Sequence, residues 1–243
     1  MRTVLVTGGA KRLGAAIVRR LAADGHRVVI HYGRSGEAAA ALAAEVGAAG
    51  TVAGDLAAVG DLWARACEVA GGPIDALVNS ASQFAFDRPE AVGVALAARL
   101  YAVNCTAPVL LAGCLARQAV GGAVVNLLDQ KVVNPNPDFF SYTLAKLALE
   151  GATTLMAQAF APGVRVNAVS PGLTLASADQ TPAEFAAAGR KNLLERPVGA
   201  EAVADAVAYL IGAESVTGQN LFVDCGQRFL KRDGDVMFEG RSQ

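Results

Sequence analysis

The chain opens on a pattern that few folds can satisfy. Thr3 to Thr7 (TVLVT) is a short β-branched run of the kind buried in a parallel sheet. It leads directly into Gly8 and Gly9, then Ala10-Lys11-Arg12-Leu13-Gly14 and an apolar-periodic helix through Ala23. Strand, glycine turn and helix in that order bring backbone N–H groups and the positive end of a helix to one point, where a pyrophosphate can be held. The spacing reads T-G-x-x-x-R-x-G rather than G-x-G-x-x-G, with Arg12 where a middle glycine would stand.

The alternation then continues. Further strands are predicted at Arg27–Tyr32, Thr51–Ala53, Asp75–Asn79, Gly122–Leu128, Val164–Val169 and Asn220–Val223. Helices are predicted at Glu37–Val46, near Asp61–Ala70, from about Val92 to Ala119, at Phe139–Gly151 and at Glu201–Ile211. Strands alternating with helices imply an α/β, Rossmann-type doubly wound parallel sheet of about seven strands with helices on both faces. A chain of 243 residues buries roughly 70–75% of its unfolded surface, enough for one domain without staples. We therefore expect a single domain over 1–243, with a substrate loop at about 173–198 and a charged C-terminal extension at 228–243.

Ligands of such sheets bind at the carboxyl ends of the strands. Thr7, Arg34, Asp55, Asn79, Asp129 and Pro171 all fall at such ends. A dinucleotide site that selects NAD carries an Asp or Glu after the second strand, to accept from the ribose hydroxyls. Here the strand ends at Tyr32 and is followed by Gly33-Arg34-Ser35. With Lys11 and Arg12 close by, the site is cationic and suits a 2′-phosphate, which points to NADPH. Asp55 either accepts from an adenine amine or caps the following helix. Asn79 ends the fourth strand beside small residues, which suits close passage of a cofactor. Phe84 is either core or a stacking platform. Asn104, inside an apolar helical run, implies a buried hydrogen-bonding role.

Tyr142 and Lys146 sit four apart, so a helix puts them on one face a turn apart. A free tyrosine titrates near ~10, and a neighbouring ammonium is expected to pull it toward the working range. Other classes recede. The net charge is −1 with no basic run, which argues against nucleic acid. Four scattered cysteines (Cys67, Cys105, Cys114, Cys225) read as reduced thiols of a cytoplasmic protein. Two histidines, His26 and His31, exclude a His-rich metal site, so no metal is expected. The first residues enter a strand at once, which leaves no room for a signal peptide. The longest uncharged run, Leu100 to Ala116, contains Asn104, Thr106 and Pro108 and falls short of a membrane span.

Taken together, TGGAKRLG (Thr7–Gly14), Asp55-Leu56, the NSAS run (Asn79–Ser82), Asn104, the Tyr142/Lys146 pair and Pro171-Gly172 resemble the short-chain dehydrogenase/reductase family over essentially the whole length. Within it, the glycine turn, HYGRS (His31–Ser35) and NSASQF ending at Phe84 are most similar to pteridine reductases and dihydromonapterin reductases. Most family members carry a serine thirteen residues before the tyrosine; here that position is Asp129, as in pteridine reductases. The resemblance implies NADPH as cofactor, held by Gly8, Lys11, Arg12, Leu13, Gly14, Tyr32, Arg34, Ser35, Asp55, Leu56, Asn79, Ser80, Ala81, Tyr142, Lys146, Pro171 and Gly172. It implies a dihydropteridine substrate against Arg12, Ser82, Phe84, Asp129 and Tyr142. Tyr142 with Asp129 would donate the proton, Lys146 would hold the nicotinamide ribose, and Asn104 would complete a relay. It further implies a homotetramer. Two other readings compete: a short-chain reductase of a 3-oxoacyl thioester or other carbonyl, and a non-catalytic NADP(H)-sensing protein.

Overall fold

The computed structural model describes residues 1–118, 120–176 and 181–236. Seven strands form one sheet in the order β3-β2-β1-β4-β5-β6-β7. They are β1 (Thr3–Thr7), β2 (Arg27–Tyr32), β3 (Gly50–Ala53), β4 (Ala76–Asn79), β5 (Gly122–Leu127), β6 (Val164–Pro171) and β7 (Asn220–Val223). Every neighbouring pair is parallel. The chain lays strands outward from β1 to β3, then crosses back to set β4 against the other side of β1. Thr7 and Asn79 are register partners there, so the two strand ends open a crevice where the winding reverses.

Among the described residues, eight α-helices cover the faces: α1 (Arg12–Ala23), α2 (Gly36–Val46), α3 (Leu62–Ala70), α4 (Val94–Tyr101), α5 (Ala107–Ala116), α6 (Phe140–Ala159), α7 (Pro182–Gly189) and α8 (Ala200–Gly212). On one face, Ile17 and Leu21 of α1, Leu42 of α2 and Val207 and Leu210 of α8 pack on Val4, Val6 and Val28. On the other, Leu62 of α3, Leu111 and Leu115 of α5 and Met156 of α6 pack on Leu5, Leu77 and Val124. Because both faces are covered, the strands read as continuous apolar runs and not as alternation.

The long helix predicted from Val92 to Ala119 differs in two ways, and Ala119 lies outside the described residues. It spans Val94–Ala116 but is interrupted at Ala102–Thr106 by one π turn. Pro108 lacks an N–H, and its ring crowds the carbonyl four residues back, at Asn104; a wider turn relieves both. Over 18 of its 23 residues this helix reaches a mean hydropathy of 1.5, so by length and composition alone it could cross a membrane. In this fold Leu100, Leu111 and Leu115 of that helix are fully buried.

Candidate active site

The glycine turn after β1 is built by close approach. Gly8 has φ +63°, and a Cβ there would stand 2.7 Å from the Cα of Ala81. A Cβ on Gly14 would meet the carbonyl oxygen of Gly8 at 2.2 Å, so only glycine lets α1 begin on top of the turn. Arg12 has φ +53°, the left-handed conformation a glycine would take at that place. Such a residue costs of order 1–3 kcal/mol and persists where its surroundings over-determine it. Here its guanidinium donates to the carbonyl of Ala176 at 2.8 Å. Across the switch point, Thr7 Oγ1 accepts from the N–H groups of Ser80 and Ala81 at 3.1 and 3.2 Å. The result is a cavity of about 670 Å³ edged by Gly8, Lys11, Arg12, Leu13, Gly14, Arg34, Asp55, Leu56, Ser80 and Ala81. Backbone amides, a helix start and Lys11, Arg12 and Arg34, with no acid after β2, fit a phosphorylated dinucleotide.

Some expected contact residues do other work. Asn79 Nδ2 donates to Asn126 Oδ1 at 2.9 Å, and Asn126 donates to Thr153 Oγ1, a buried ladder that stitches β4 to β5 and α6. Asn79 therefore sits behind the cavity and not on its wall. Ser35 precedes α2 without a side-chain cap bond, and Tyr32 packs its ring beside Gly36. Asp55 caps the turn after it, accepting from Ala57 N at 3.0 Å. It is also held in a fork by Arg99 at 2.9 and 3.0 Å. That pairing holds its carboxyl below the usual carboxylate range. Arg99 and His31 also edge the cavity; neither spacing nor residue type had marked them.

The helix α6 delivers Tyr142 and Lys146 as its periodicity predicts. Tyr142 donates its hydroxyl to Asp129 Oδ2 at 2.9 Å. The other carboxylate oxygen accepts the backbone N–H of Lys131 at 2.9 Å. Lys146 Nζ donates to the carbonyl of Leu127 at 2.7 Å and lies 5.7 Å from the centre of the Tyr142 ring. The expectation that Lys146 lowers the tyrosine pKa is overturned. Burial, and then the Asp129 charge and hydrogen bond, push Tyr142 well above its ordinary value. Burial likewise raises Asp129 and brings Lys146 down to about 8. The dominant partner of the phenol is thus a carboxylate, and Tyr142 is a protonated donor at neutral pH.

Asn104 sits in the π turn. Its Oδ1 accepts from Ser82 Oγ at 2.7 Å and Gln83 N at 3.1 Å. Its Nδ2 donates to the carbonyls of Gln83 and Leu100. Three of these bonds fix the Ser82–Phe84 loop, and the fourth ties Asn104 to Leu100 one turn back. Phe84 is 46% exposed and so is no core residue. It stacks on Phe139 with centroids 4.0 Å apart and meets the Tyr142 ring edge-on at 4.8 Å. An exposed aromatic plane beside a buried phenol–carboxylate pair is a shelf for a flat ring.

A second cavity of about 300 Å³ opens at this shelf. Arg12, Leu13, Ser80 and Ser82 line it from the cofactor side, and Phe84, Asp129, Tyr142, Lys146, Pro171, Gly172 and Leu173 complete it. Arg12 borders both cavities. The expected substrate loop supplies Leu173–Leu175 and then forms α7, whose start carries a Thr181/Glu184 capping box; its residues 177–180 lie outside the described residues.

The C-terminal extension is part of this wall, for Arg232, Asp235 and Val236 line the second cavity beside Gln227. Residues 237–243 lie outside the described residues. The buried Lys131 holds the extension, donating to Asn136 Oδ1 at 3.0 Å and the carbonyl of Asp138 at 2.8 Å, and pairing with Asp235 at 3.3 Å. Asp138 accepts in turn from the N–H of Asp235 and from Arg88. Nothing in the sequence ties residue 131 to residue 235. Lys131→Met should leave these acceptors short of a donor and cost about 1–3 kcal/mol, lowering Tm by roughly 2–12 °C. Limited trypsin digestion should then cut sooner after Lys231 or Arg232, with cofactor affinity unchanged; an unaltered digestion pattern would show that the clip does not hold the segment.

Comparison with known proteins agrees with this geometry. A family model described as enoyl-(acyl carrier protein) reductase matches residues 8–228. Pteridine reductase 1 of Leishmania tarentolae is 34% identical, over 91% of this chain and 94% of its own length. 3β-Hydroxysteroid dehydrogenase 1 of Eggerthella lenta is 35% identical, over 93% of each. Among solved structures, FolM alternative dihydrofolate reductase 1 of Brucella canis, complexed with NADP, superposes with a TM-score of 0.91 at 41% identity, over 95% of both chains.

Proposed function

The chain belongs to the short-chain dehydrogenase/reductase family, and from that premise we propose that it reduces a dihydropteridine to its tetrahydro form with NADPH. The observation that carries the reading is the 2.9 Å bond from Tyr142 to Asp129. An ionised carboxylate cannot donate to a developing alkoxide, so it is a poor aid to simple ketone reduction. It suits a substrate whose ring nitrogens accept a proton or are steered by an acceptor. The exposed face of Phe84 receives the flat bicyclic ring, and a pteridine reductase stands among the relatives.

Each residue then has a role. The N-terminus of α1 and the turn amides hold the pyrophosphate, and Lys11 and Arg34 meet the 2′-phosphate. Bound NADPH supplies the hydride. Lys146, anchored on the Leu127 carbonyl, directs its remaining N–H groups toward the ribose. Asp129 accepts from the substrate edge and orients Tyr142, whose hydroxyl delivers the proton. Arg12, between the two cavities, ties cofactor phosphate to substrate. Asn104 holds the Ser82–Phe84 side of the shelf in place.

The test is NADPH oxidation with dihydromonapterin or dihydrobiopterin, set against an acetoacetyl thioester. Preference for the thioester would favour the second reading, carbonyl reduction, for which the hydroxysteroid dehydrogenase among the relatives speaks. NADPH should be preferred over NADH, because charge-assisted contacts to the 2′-phosphate are worth roughly 1.5–3 kcal/mol each, about ten- to a hundredfold. Arg34→Asp should narrow or invert that preference; equal use of both cofactors by the unmodified protein would refute it. A homotetramer also belongs to this reading. Tyr101, Leu110 and Leu155 are exposed along one apolar groove between α5 and α6, a face suited to self-association, which sedimentation equilibrium would check.

A further inference from the structure

His31 takes no part in the chemistry above, yet its side chain bridges two loops of the cofactor cavity. It lies on β2 and is 2% exposed. Its Nδ1 accepts the N–H of Gly8, in the glycine turn, at 3.1 Å. Its Nε2 lies 3.2 Å from the carbonyl of Gly54, at the end of β3. Its own backbone carbonyl accepts from Gly9 N at 3.0 Å. Both loops edge the large cavity, as does the imidazole.

The partners decide the tautomer. Gly8 offers a donor, so Nδ1 must carry a lone pair; Gly54 offers an acceptor, so Nε2 must carry the proton. A doubly protonated ring would set N–H against N–H at Gly8 and break the clip. We propose that neutral His31 is a positioning residue for the cofactor: it clamps the phosphate-binding turn to the Gly54–Leu56 loop, and protonation of its ring releases the turn and weakens dinucleotide binding.

Burial disfavours the imidazolium, and Arg65 on α3 adds to that. The other charged groups around it are Asp61, paired with Arg65; Asp55, held by Arg99; and Lys11 and Arg34 on the cavity edge. The folded-state pKa is therefore below the ordinary value, and the His31 contribution to stability is present above about 6.5 and lost as pH falls below it.

The experiment measures NADP+ affinity by calorimetry for the full-length protein and for His31→Leu, His31→Asn and His31→Gln, with Tm as a folding control. Asn keeps an acceptor at the Nδ1 position, and Gln keeps a donor near Nε2. The Leu variant should bind on the order of tenfold more weakly, the Asn variant should stay within a few fold of the parent, and Gln should fall between. On acidification from pH 8 to 5, parent affinity should fall more steeply than that of the Asn variant, which shares the titration of the 2′-phosphate but not that of the ring. Leu binding as tightly as the parent with an unchanged Tm would overturn the proposal. Should Leu fail to fold, parallel pH profiles for parent and Asn variant would overturn it instead. A purely structural role would move Tm and leave the difference between those profiles at zero.

Discussion

Tyr142→Phe is expected to reduce turnover by on the order of 10²–10⁴, the usual worth of a positioned proton donor, while NADP+ affinity stays near the parent value. The ring contact with Phe84 survives the change; what disappears is the hydroxyl that donates to Asp129 Oδ2 at 2.9 Å. The carboxylate alone does not replace it, because an ionised carboxylate carries no proton to give. Its raised pKa gives a second, pH-dependent signature: any residual activity of the Phe variant should rise on acidification, as Asp129 gains a proton of its own. In the parent, turnover should decline on the alkaline side once Lys146, held at about 8 by burial, loses its charge. Steady-state rates across pH 5 to 9.5 for both proteins test both statements. Normal turnover by the Phe variant would require another proton donor.

Asp129→Ser should separate the two enzymatic readings. With a dihydropteridine the carboxyl group is needed to orient or protonate the ring, so kcat/KM should fall ten- to a thousandfold, given ~1.4–4 kcal/mol for one active-site hydrogen bond. With a carbonyl substrate a neutral hydroxyl serves better, since it can donate to the oxyanion without a like charge, and any weak ketone reduction should hold or improve. Stability has its own sign. A carboxyl whose folded pKa is raised binds its proton more tightly folded than unfolded, so its contribution is present below the unfolded pKa of about 3.9 and lost as pH rises through the folded value. The serine variant should therefore gain stability relative to the parent at neutral pH, where burial of the charge is a cost. A variant that kept full pterin activity would reduce Asp129 to a cap of the turn at Lys131.

Local order along the chain determined much of this protein. The seven strands and the main helices follow from periodicity and from what glycine permits, because those depend on neighbouring residues alone. The Tyr142/Lys146 face follows from one helical turn, and the cationic character after β2 from residue identity. The sequence placed Arg12 where a middle glycine would stand, but its left-handed backbone, φ +53°, is seen only in the structure. What no local pattern carries is the electrostatic environment. Only the fold bonds the phenol to Asp129 and buries both, and that reverses the direction expected for the Tyr142 pKa. Pairings across large sequence separations were equally hidden: Arg99 with Asp55, 44 residues apart, and Lys131 with Asp235, 104 apart. Asn79 was assigned to the cofactor because it ends a strand, yet Asn126 of β5 and the Pro108 carbonyl of α5 accept from its amide and turn it inward. A sequence states what each side chain is able to do, but desolvation and distance depend on which distant segments pack around it, and those are set only when the sheet and its loops close.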